Sequence, residues 1–160
     1  MQLYVFRHGI AYEHSEWAGN DDSRPLTDEG KKRTAQVIKA LVKTKKLHVD
    51  AIWSSPLVRA QQTAQIAADL LSLPVKIVHE LESGTRLLRL EKTFSKLKLP
   101  EHLMTVGHEP DCGEIIAGLC GDAYENYSLK KAGMAFLEGN FKAGGMKVIW
   151  KISPSDVLDD

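Results

Sequence analysis

The sequence predicts a single α/β domain built around a mainly parallel sheet. β-favouring runs alternate with amphipathic helical runs four times, and two more β-favouring runs follow near the end of the chain. The 160 residues, 43% of them hydrophobic, suffice to bury a full core without disulfides or metals. Because strands that alternate with helices pair in parallel through right-handed crossovers, we expect helices on both faces of the sheet. We place this one domain over residues 1–160.

The first half of the chain contains two strand–helix pairs. Residues 3–6 form a short β-favouring run, and after a polar loop Thr27 has the position of a helix cap. Residues 51–53 are the second strand, and Ser55 followed by Pro56 at the first helical position indicates the next helix start. Apolar positions recur at helical spacing in both helices, at Ala35, Ile38, Leu41 and Val42 in the first and at Ala60, Thr63, Ala64, Ala67, Leu70 and Leu71 in the second.

The second half continues the alternation and ends in a hairpin. Residues 75–78 and 103–106 are the third and fourth predicted strands. Two further helices are indicated by apolar positions, the third by Leu87, Leu90, Phe94 and Leu97 and the fourth by Cys112, Ile115, Ile116 and Leu119. Residues 134–137 and 147–152 flank a glycine-bearing region at 139–145, which predicts a β-hairpin.

Charge and hydropathy exclude several classes of protein. Lys plus Arg and Asp plus Glu each number 21, so the chain lacks the basic excess typical of proteins that bind nucleic acid or anionic membranes. The start, MQLYVFRHGI, lacks the pattern of a signal peptide, and nowhere do about 18 apolar residues run together. We therefore expect a cytoplasmic monomer with no membrane segment and no nucleic-acid partner.

The two cysteines, Cys112 and Cys120, fall on the same predicted helix. Their spacing along a helix separates them by roughly 12 Å, which is beyond the reach of a disulfide. We expect both to be buried small hydrophobic side chains in a reducing compartment.

Chemically reactive side chains follow three of the predicted parallel strands. Arg7-His8-Gly9 follows the first strand, Ser54-Ser55-Pro56 and then Arg59 follow the second, and Gly107-His108-Glu109-Pro110 follows the fourth. In open parallel sheets the carboxyl ends of the strands form the ligand-binding edge. We therefore expect Arg7, His8, Arg59 and His108 to meet at that edge.

These four side chains suit phosphoryl transfer. Guanidinium groups bind phosphate oxygens through paired N–H donors and stay charged at any relevant pH. A neutral imidazole can attack phosphorus through one ring nitrogen while a carbonyl holds the other. Arginine and histidine also stabilise the charge on the transferred group, and Gly9 would let backbone amides approach the anion. The set is sufficient for phosphohistidine chemistry without a metal or any other cofactor.

Other interpretations of these residues are less favoured. A zinc site would need histidine ligands, but the sequence has no H-E-x-x-H motif and no clustered Cys/His spacing, and Arg7 beside His8 would repel a cation. No strand is followed by a Walker loop or a G-x-G-x-x-G turn, which argues against nucleotide-binding folds. The remaining histidines lie in polar or connecting segments and are assigned no role: His14, His48, His79 and His102.

Three ordered motifs identify a family resemblance. RHG at 7–9, SSPLVRAQQT at 54–63 and VGH at 106–108 together resemble the histidine phosphatase (phosphoglycerate mutase-like) superfamily. The element SRPLTDEG at 23–30, the small size and the VGHEP turn are similar to the SixA-type phosphohistidine phosphatases, which lack the long lid insertions of larger relatives. The likeness spans essentially the whole chain.

The resemblance implies both a fold and a site. The fold would be a three-layer α/β/α sandwich with a mixed, mainly parallel six-stranded sheet whose fifth strand is antiparallel. His8 would be the phosphorylated nucleophile, and Arg7, Arg59 and His108 would form the phosphate pocket around it. The substrate would be a phosphohistidine on a partner protein such as a histidine phosphotransfer domain.

Arg24, in the RPLT element, also enters through the resemblance. It would add to the phosphate pocket or hold the substrate. The alternative is a loop arginine paired with Asp21 or Asp22. The sequence leaves both interpretations open.

One departure from the family pattern bears on the substrate. Many relatives carry a general-acid carboxylate after the third strand in a pattern like L-x-E, but here the position two after Leu81 is Ser83. An alkoxide leaving group needs a proton delivered to it, whereas imidazole, with an ordinary pKa of about 6.5, can leave already protonated. The missing acid therefore favours phosphohistidine. The alternatives are a small-molecule phosphomonoesterase or phosphosugar phosphatase, with Glu80 or Glu82 as the acid, and a phosphate-binding module without turnover.

Overall fold

Six strands form one mixed sheet in the computed structural model, which describes residues 1–159. They are β1 (Gln2–Arg7), β2 (Ala51–Ser54), β3 (Val75–Ile77), β4 (His102–Gly107), β5 (Met134–Gly139) and β6 (Met146–Ile152), in the order β3-β2-β4-β1-β5-β6. β1 to β4 run parallel, β5 runs antiparallel to β1, and β6 pairs antiparallel with β5. The predicted mixed sheet with an antiparallel fifth strand is confirmed.

Helices cover both faces of this sheet. The helices are α1 (Asp28–Lys45), α2 (Val58–Leu71), α3 (Leu87–Phe94), α4 (Asp111–Cys120) and the short α5 (Pro154–Val157). α1 and α2 pack on one face and α3 and α4 on the other, while α5 contacts α1. The three-layer α/β/α sandwich expected from the sequence is therefore confirmed.

Alternate residues of the strands fill two hydrophobic cores. Leu3 and Val5 of β1 pack with α3 and α4, whereas Tyr4 and Phe6 pack with α1 and α2. In α2 the fully buried apolar positions are small alanines, which let this helix approach the sheet closely. This packing fixes the strand ends from which the site is built.

The start of α2 differs from the prediction. The helix begins at Val58 with Leu57 as its cap residue, and not at Ser55 and Pro56. The Ser55 hydroxyl accepts a hydrogen bond from the Leu57 amide and lies 2.7 Å from a ring nitrogen of His108. The predicted helix start is wrong because this serine is engaged at the edge of the sheet.

Some apolar positions also differ from their predicted burial. Val42 of α1 and Leu70 of α2 are exposed, although Ile38 and Leu41 are buried as expected. α3 ends at Phe94, because the chain tightens into three-residue turns and leaves Leu97 exposed beyond the helix. Spacing alone does not separate the edge of an apolar face from its centre.

Both cysteines are free thiols. Cys112 is buried as predicted, and Cys120 is only partly buried. None of the helices formed by residues 1–159 has the length and apolarity needed to cross a bilayer. The single domain over residues 1–160 stays a prediction, and Asp160 lies outside the described residues.

Candidate active site

The carboxyl ends of β1, β2 and β4 adjoin a polar cavity of about 340 Å³. Backbone hydrogen bonds continue the sheet past the strand ends, since the His8 amide donates to Gly107 and the Ser55 amide donates to Val106. Neighbouring segments therefore stay adjacent after the strands stop. Five predicted site residues line the cavity: Arg7, His8, Arg24, Arg59 and His108.

Gly9, the sixth predicted site residue, is engaged in the packing of the fold. Its amide donates to Thr63 Oγ1 at 3.1 Å. A Cβ at this position would lie only 2.3 Å from Thr34 Oγ1, on α1. Glycine is therefore required for close packing, and its own amide is occupied by Thr63, while the expectation that a glycine here lets backbone amides approach an anion stays a prediction.

His8 is a buried, neutral imidazole with a fixed tautomer. Its Nδ1 lies 2.7 Å from the Gly9 carbonyl oxygen, which can only accept, so Nδ1 carries the proton and Nε2 carries the lone pair. Burial is the main cause that lowers the pKa of His8 from 6.5 to about 3, and the charges of Arg59 and Arg7 lower it further. The ring is therefore a free nucleophile at neutral pH.

His108 is a second buried, neutral imidazole. Its ring centroid lies 5.3 Å from that of His8, and its Nε2 lies 2.7 Å from Ser55 Oγ. Burial, and then the charge of Arg59, lower the pKa of His108 from 6.5 to about 4. Ser55 Oγ accepts from the Leu57 amide and can donate its hydroxyl proton to His108 Nε2; in that arrangement the ring proton is on Nδ1.

The two arginines nearest the histidines are held by backbone carbonyls. Nη1 of Arg7 donates to the Leu129 carbonyl at 2.9 Å. Arg59 has only 5% of its surface exposed, and its Nη1 donates to the Asp21 carbonyl at 2.8 Å. These contacts fix the two guanidinium groups before any ligand binds.

Three buried donors of these residues lack a hydrogen-bond partner among the described residues. They are Nε of Arg7, Nε of Arg59 and Nδ1 of His108. A buried donor without a partner typically costs about 1–3 kcal/mol, so three in one cavity require an explanation. An anion with several acceptor oxygens would satisfy all of them.

Asp21 binds two arginines at the cavity wall. Its pairing with Arg24 was one of the interpretations that the sequence left open, but its contact with Arg59 was not predicted. Its Oδ1 accepts from Nε and Nη2 of Arg24, each at 3.0 Å, and its Oδ2 accepts from Nη2 of Arg59 at 3.1 Å. Burial alone would raise the pKa of Asp21, but the hydrogen bonds from Arg24 and the charge of Arg59 outweigh it and lower that pKa. Arg24 therefore both lines the cavity and pairs with Asp21.

Glu109 supports Arg7 from behind. Its two carboxylate oxygens accept from the amides of Gly113 and Leu129, both at 2.6 Å. Leu129 is the residue whose carbonyl holds Arg7. Glu109 lies just before α4, four residues ahead of Gly113 in its first turn. That spacing is the sequence signal that could have indicated the hydrogen bond from the Gly113 amide.

The carboxylates considered as proton donors lie elsewhere. Ser83 lines the cavity, whereas Glu82 accepts a hydrogen bond from Arg89 at 2.8 Å and lies half-exposed. His14, which was assigned no role, also lines the cavity, with its Nδ1 3.6 Å from Asp21 Oδ1. Its place in an irregular loop left no periodic signal for this position.

Comparison with known proteins gives consistent matches. Residues 3–83 match the sequence model of the histidine phosphatase superfamily (branch 1). The chain is 39% identical over 142 residues to an uncharacterized protein of Picosynechococcus sp., covering 84% of this chain and 82% of that protein. It is 25% identical over 163 residues to the phosphohistidine phosphatase SixA of Escherichia coli (strain K12), covering 98% and 96% of the two chains. The structure of the protein histidine phosphatase SixA complexed with tungstate has the same fold, with a TM-score of 0.81, 23% identity and coverage of 99% and 100%.

Proposed function

The chain belongs to the histidine phosphatase superfamily, and we propose that it removes phosphate from a phosphohistidine side chain on a partner protein. His8 is the nucleophile, and Arg7, Arg59 and His108 hold the transferred phosphoryl group. One observation carries the proposal. Three buried nitrogens without partners belong to residues that line the same cavity as His8, an imidazole whose Nε2 keeps its lone pair.

In the first step, His8 Nε2 forms a bond to phosphorus while the P–N bond of the substrate breaks. The bonding electrons go to the substrate imidazole, which leaves as a neutral molecule because its other ring nitrogen already carries a proton. The Gly9 carbonyl stabilises the positive charge that develops on His8 through the Nδ1–H bond. Arg7 and Arg59 stabilise the charge on the phosphoryl oxygens.

In the second step, water attacks phosphorus and the bond to His8 Nε2 breaks. The electron pair returns to Nε2, so the imidazole is again neutral with its proton on Nδ1. The water oxygen and both of its protons end on phosphate, which leaves as the monoanion and equilibrates with solvent. The cycle needs only the chain's own cations, and we include metal independence in the proposal.

The carboxylates around the cavity favour a P–N substrate over an ester. The low pKa of Asp21 keeps it ionised, and both oxygens of Glu109 are occupied by amide donors. Glu13 lines the cavity with Nζ of Lys131 3.9 Å from its Oε1, and Glu82, which is not among the lining residues, pairs with Arg89. An alkoxide leaving group would need a proton that these groups do not supply, whereas an imidazole does not.

A protein-borne substrate is supported by the path of the chain between α2 and β4. Residues 72–101 form β3, a short turn and α3, which packs Leu90 and Phe94 into the core. This segment is therefore used by the fold and does not extend as a lid. The related SixA protein is named a phosphohistidine phosphatase, which agrees with a histidine phosphotransfer domain as the class of partner.

The test is a rapid-quench reaction with a histidine phosphotransfer domain that carries labelled phosphohistidine. We expect an acid-labile phosphoryl adduct on His8 that forms and decays within one turnover, and no adduct in His8→Ala. Chelation should leave turnover unchanged. Stoichiometric labelling without release would indicate a binding module, equal turnover of an alkyl phosphate ester would indicate a phosphomonoesterase, and metal-restored activity after chelation would indicate a metalloenzyme.

A further inference from the structure

Three side chains of the types that can bind metals lie close together at the end of the sheet opposite the candidate active site. They are His48 and Asp50, in the loop before β2, and His102, the first residue of β4. His108 lies just beyond the other end of β4, and at about 3.3 Å per residue the strand separates it from His102 by about 20 Å. The cluster is therefore distinct from the phosphate cavity.

The backbone of the sheet brings these residues together. The Asp50 amide donates to the His102 carbonyl at 2.8 Å, next to the paired residues Ala51 and Leu103. The rings of His48 and His102 stack with centroids 3.9 Å apart and an interplanar angle of 18°. Nε2 of His48 lies 3.3 Å from Asp50 Oδ1, and one ligand atom from each of the three residues lies within 4.8 Å of the others.

A second observation concerns the unused ring nitrogen of His102. Its Nδ1 is buried and has no hydrogen-bond partner among residues 1–159. Buried polar atoms normally have a hydrogen-bond partner. The exposed ion pair of His48 with Asp50 would need no second histidine, His102, beside it. A metal ion would use the open coordination capacity of the imidazoles once the exposed His48 ring rotates out of the stack, because an imidazole binds a metal in the plane of its ring.

We infer that His48, Asp50 and His102 bind one divalent transition-metal ion of the Zn²⁺ type. Two imidazoles and one carboxylate are the donor set for such ions, whereas Mg²⁺ and Ca²⁺ prefer oxygen ligands. Ligand atoms of a tetrahedral zinc ion lie roughly 3.4 Å apart, so the cluster must contract by about 1 Å. The side chains of His48 and Asp50 are 67% and 43% exposed and can rotate without disturbing the core.

Occupation of this site would join the loop after α1 to the start of β4. Binding to the folded state alone stabilises a protein by mass action, so the ion raises its melting temperature. The inference is independent of the proposed phosphatase activity, because none of the three ligands lines the phosphate cavity. It also does not alter the metal-free reaction proposed there.

The test is calorimetric titration of the full chain with Zn²⁺, followed by thermal unfolding with and without the ion. We expect one Zn²⁺ per chain and a raised melting temperature, with affinity at least about 10-fold weaker in His48→Ala and in Asp50→Asn. The second variant keeps the shape of the side chain and guards against misfolding. His79→Ala, which removes another exposed histidine, and His8→Ala serve as matched controls with unchanged affinity.

Two results with Zn²⁺ would overturn the inference. One is unchanged Zn²⁺ affinity in both His48→Ala and Asp50→Asn. The other is loss of binding in His8→Ala, which would place the ion in the phosphate cavity. Mg²⁺ at the same concentration should produce no heat of binding, and equal binding of Mg²⁺ would also contradict the assigned donor set.

Discussion

The Ser55 hydroxyl and Nε2 of His108 lie 2.7 Å apart and join segments that are 53 positions apart in the chain. Both groups are buried, and the contact has two consequences. It removes the serine side chain from the start of α2, so this helix begins later than its sequence indicates. When the serine donates this hydrogen bond, the His108 ring proton is on Nδ1, the buried ring nitrogen without a partner among the described residues.

Replacing Ser55 with Ala should therefore weaken catalysis as well as the fold. Nε2 of His108 would lose its partner, at a cost of about 1–3 kcal/mol, and the ring would no longer be fixed as an Nδ1 donor. We expect kcat/KM for a phosphohistidine protein to fall about 10–100-fold, since 1.4 kcal/mol corresponds to a factor of ten. Steady-state kinetics and imidazole ¹⁵N NMR would measure the two effects.

Ser54→Ala is the matched control for this change. The Ser54 hydroxyl is also buried, but it donates to the Ser55 carbonyl and does not contact His108. Its loss should lower stability while leaving the His108 tautomer unchanged. Wild-type kcat/KM in Ser55→Ala would contradict the assigned role.

The free energy of unfolding should decrease as the pH is lowered below about 6.5. The pKa values of His8 and His108 are lowered by burial to about 3 and about 4, whereas an unfolded histidine titrates near 6.5. Below about pH 6.5 the unfolded chain therefore binds more protons than the folded one. The stability contributed by the two neutral imidazoles is full above about 6.5 and is lost on acidification, toward about 4 for His108 and toward about 3 for His8. The slope is up to about 1.4 kcal/mol per pH unit for each histidine.

Urea unfolding between about pH 4.5 and 7.5 would measure this dependence. His8→Asn and His108→Asn should each give a shallower slope than the wild-type protein. His79→Asn removes an exposed histidine and should keep the wild-type slope. Identical slopes in all four proteins would show that neither buried imidazole is held neutral.

The positions of the four main site residues could be predicted from the sequence, because they depend on local patterns of strands and helices. Strand and helix periodicity placed Arg7, His8 and His108 immediately after strands, and the parallel sheet then brought them to one edge with Arg59. The contact of Asp21 with Arg59 could not be predicted, because it depends on how an irregular loop packs across α2.

Long-range contacts between side chains were missed for the same reason. His48 and His102 carry no shared spacing, and only the pairing of β2 with β4 places their rings in contact. The Ser55–Pro56 helix signal was locally well formed and was overridden by a tertiary hydrogen bond. The overridden helix start therefore lies beside the pair of histidines in the candidate active site.

Arg24 should act mainly by holding the loop that carries Asp21. All three kinds of nitrogen in its guanidinium are used, with Nε and Nη2 on Asp21 and Nη1 on the Tyr12 carbonyl. Arg24→Ala should lower kcat/KM by about 10–100-fold through loss of charge-assisted hydrogen bonds worth about 1.5–3 kcal/mol. Arg59→Ala should cost more, because it also removes a direct phosphate donor.

Arg89→Ala provides the comparison for Arg24. It breaks a half-exposed pair with Glu82, and such pairs contribute about 0–1 kcal/mol. Its kcat/KM should match that of the wild-type protein. If Arg24→Ala and Arg89→Ala were equally active, Arg24 would be a surface arginine without a part in the site.

Two explanations for the glycine in the RHG motif can be separated at Gly9. One is close packing of the fold, and the other is binding of the phosphate. A Cβ at position 9 would lie 2.3 Å from Thr34 Oγ1, and its next neighbours, the Gly30 carbonyl oxygen and Leu26 Cδ2, lie at 3.3 and 3.6 Å. Gly9→Ala should therefore destabilise the protein by about 1–3 kcal/mol through overpacking. Because the clash is with one hydroxyl, Gly9→Ala combined with Thr34→Ala should recover at least about 1 kcal/mol of that loss.

The free energies of unfolding of the four proteins in this double-mutant cycle would give the coupling energy between positions 9 and 34. The kcat/KM values of the same proteins would show whether activity follows stability. Thr34 Oγ1 has no partner among the described residues, so Thr34→Ala alone breaks no recorded hydrogen bond. If packing is the reason for glycine, activity should recover together with stability in the double variant. Restored stability with activity still lost would instead mean that a Cβ at position 9 interferes with the phosphoryl group during the reaction.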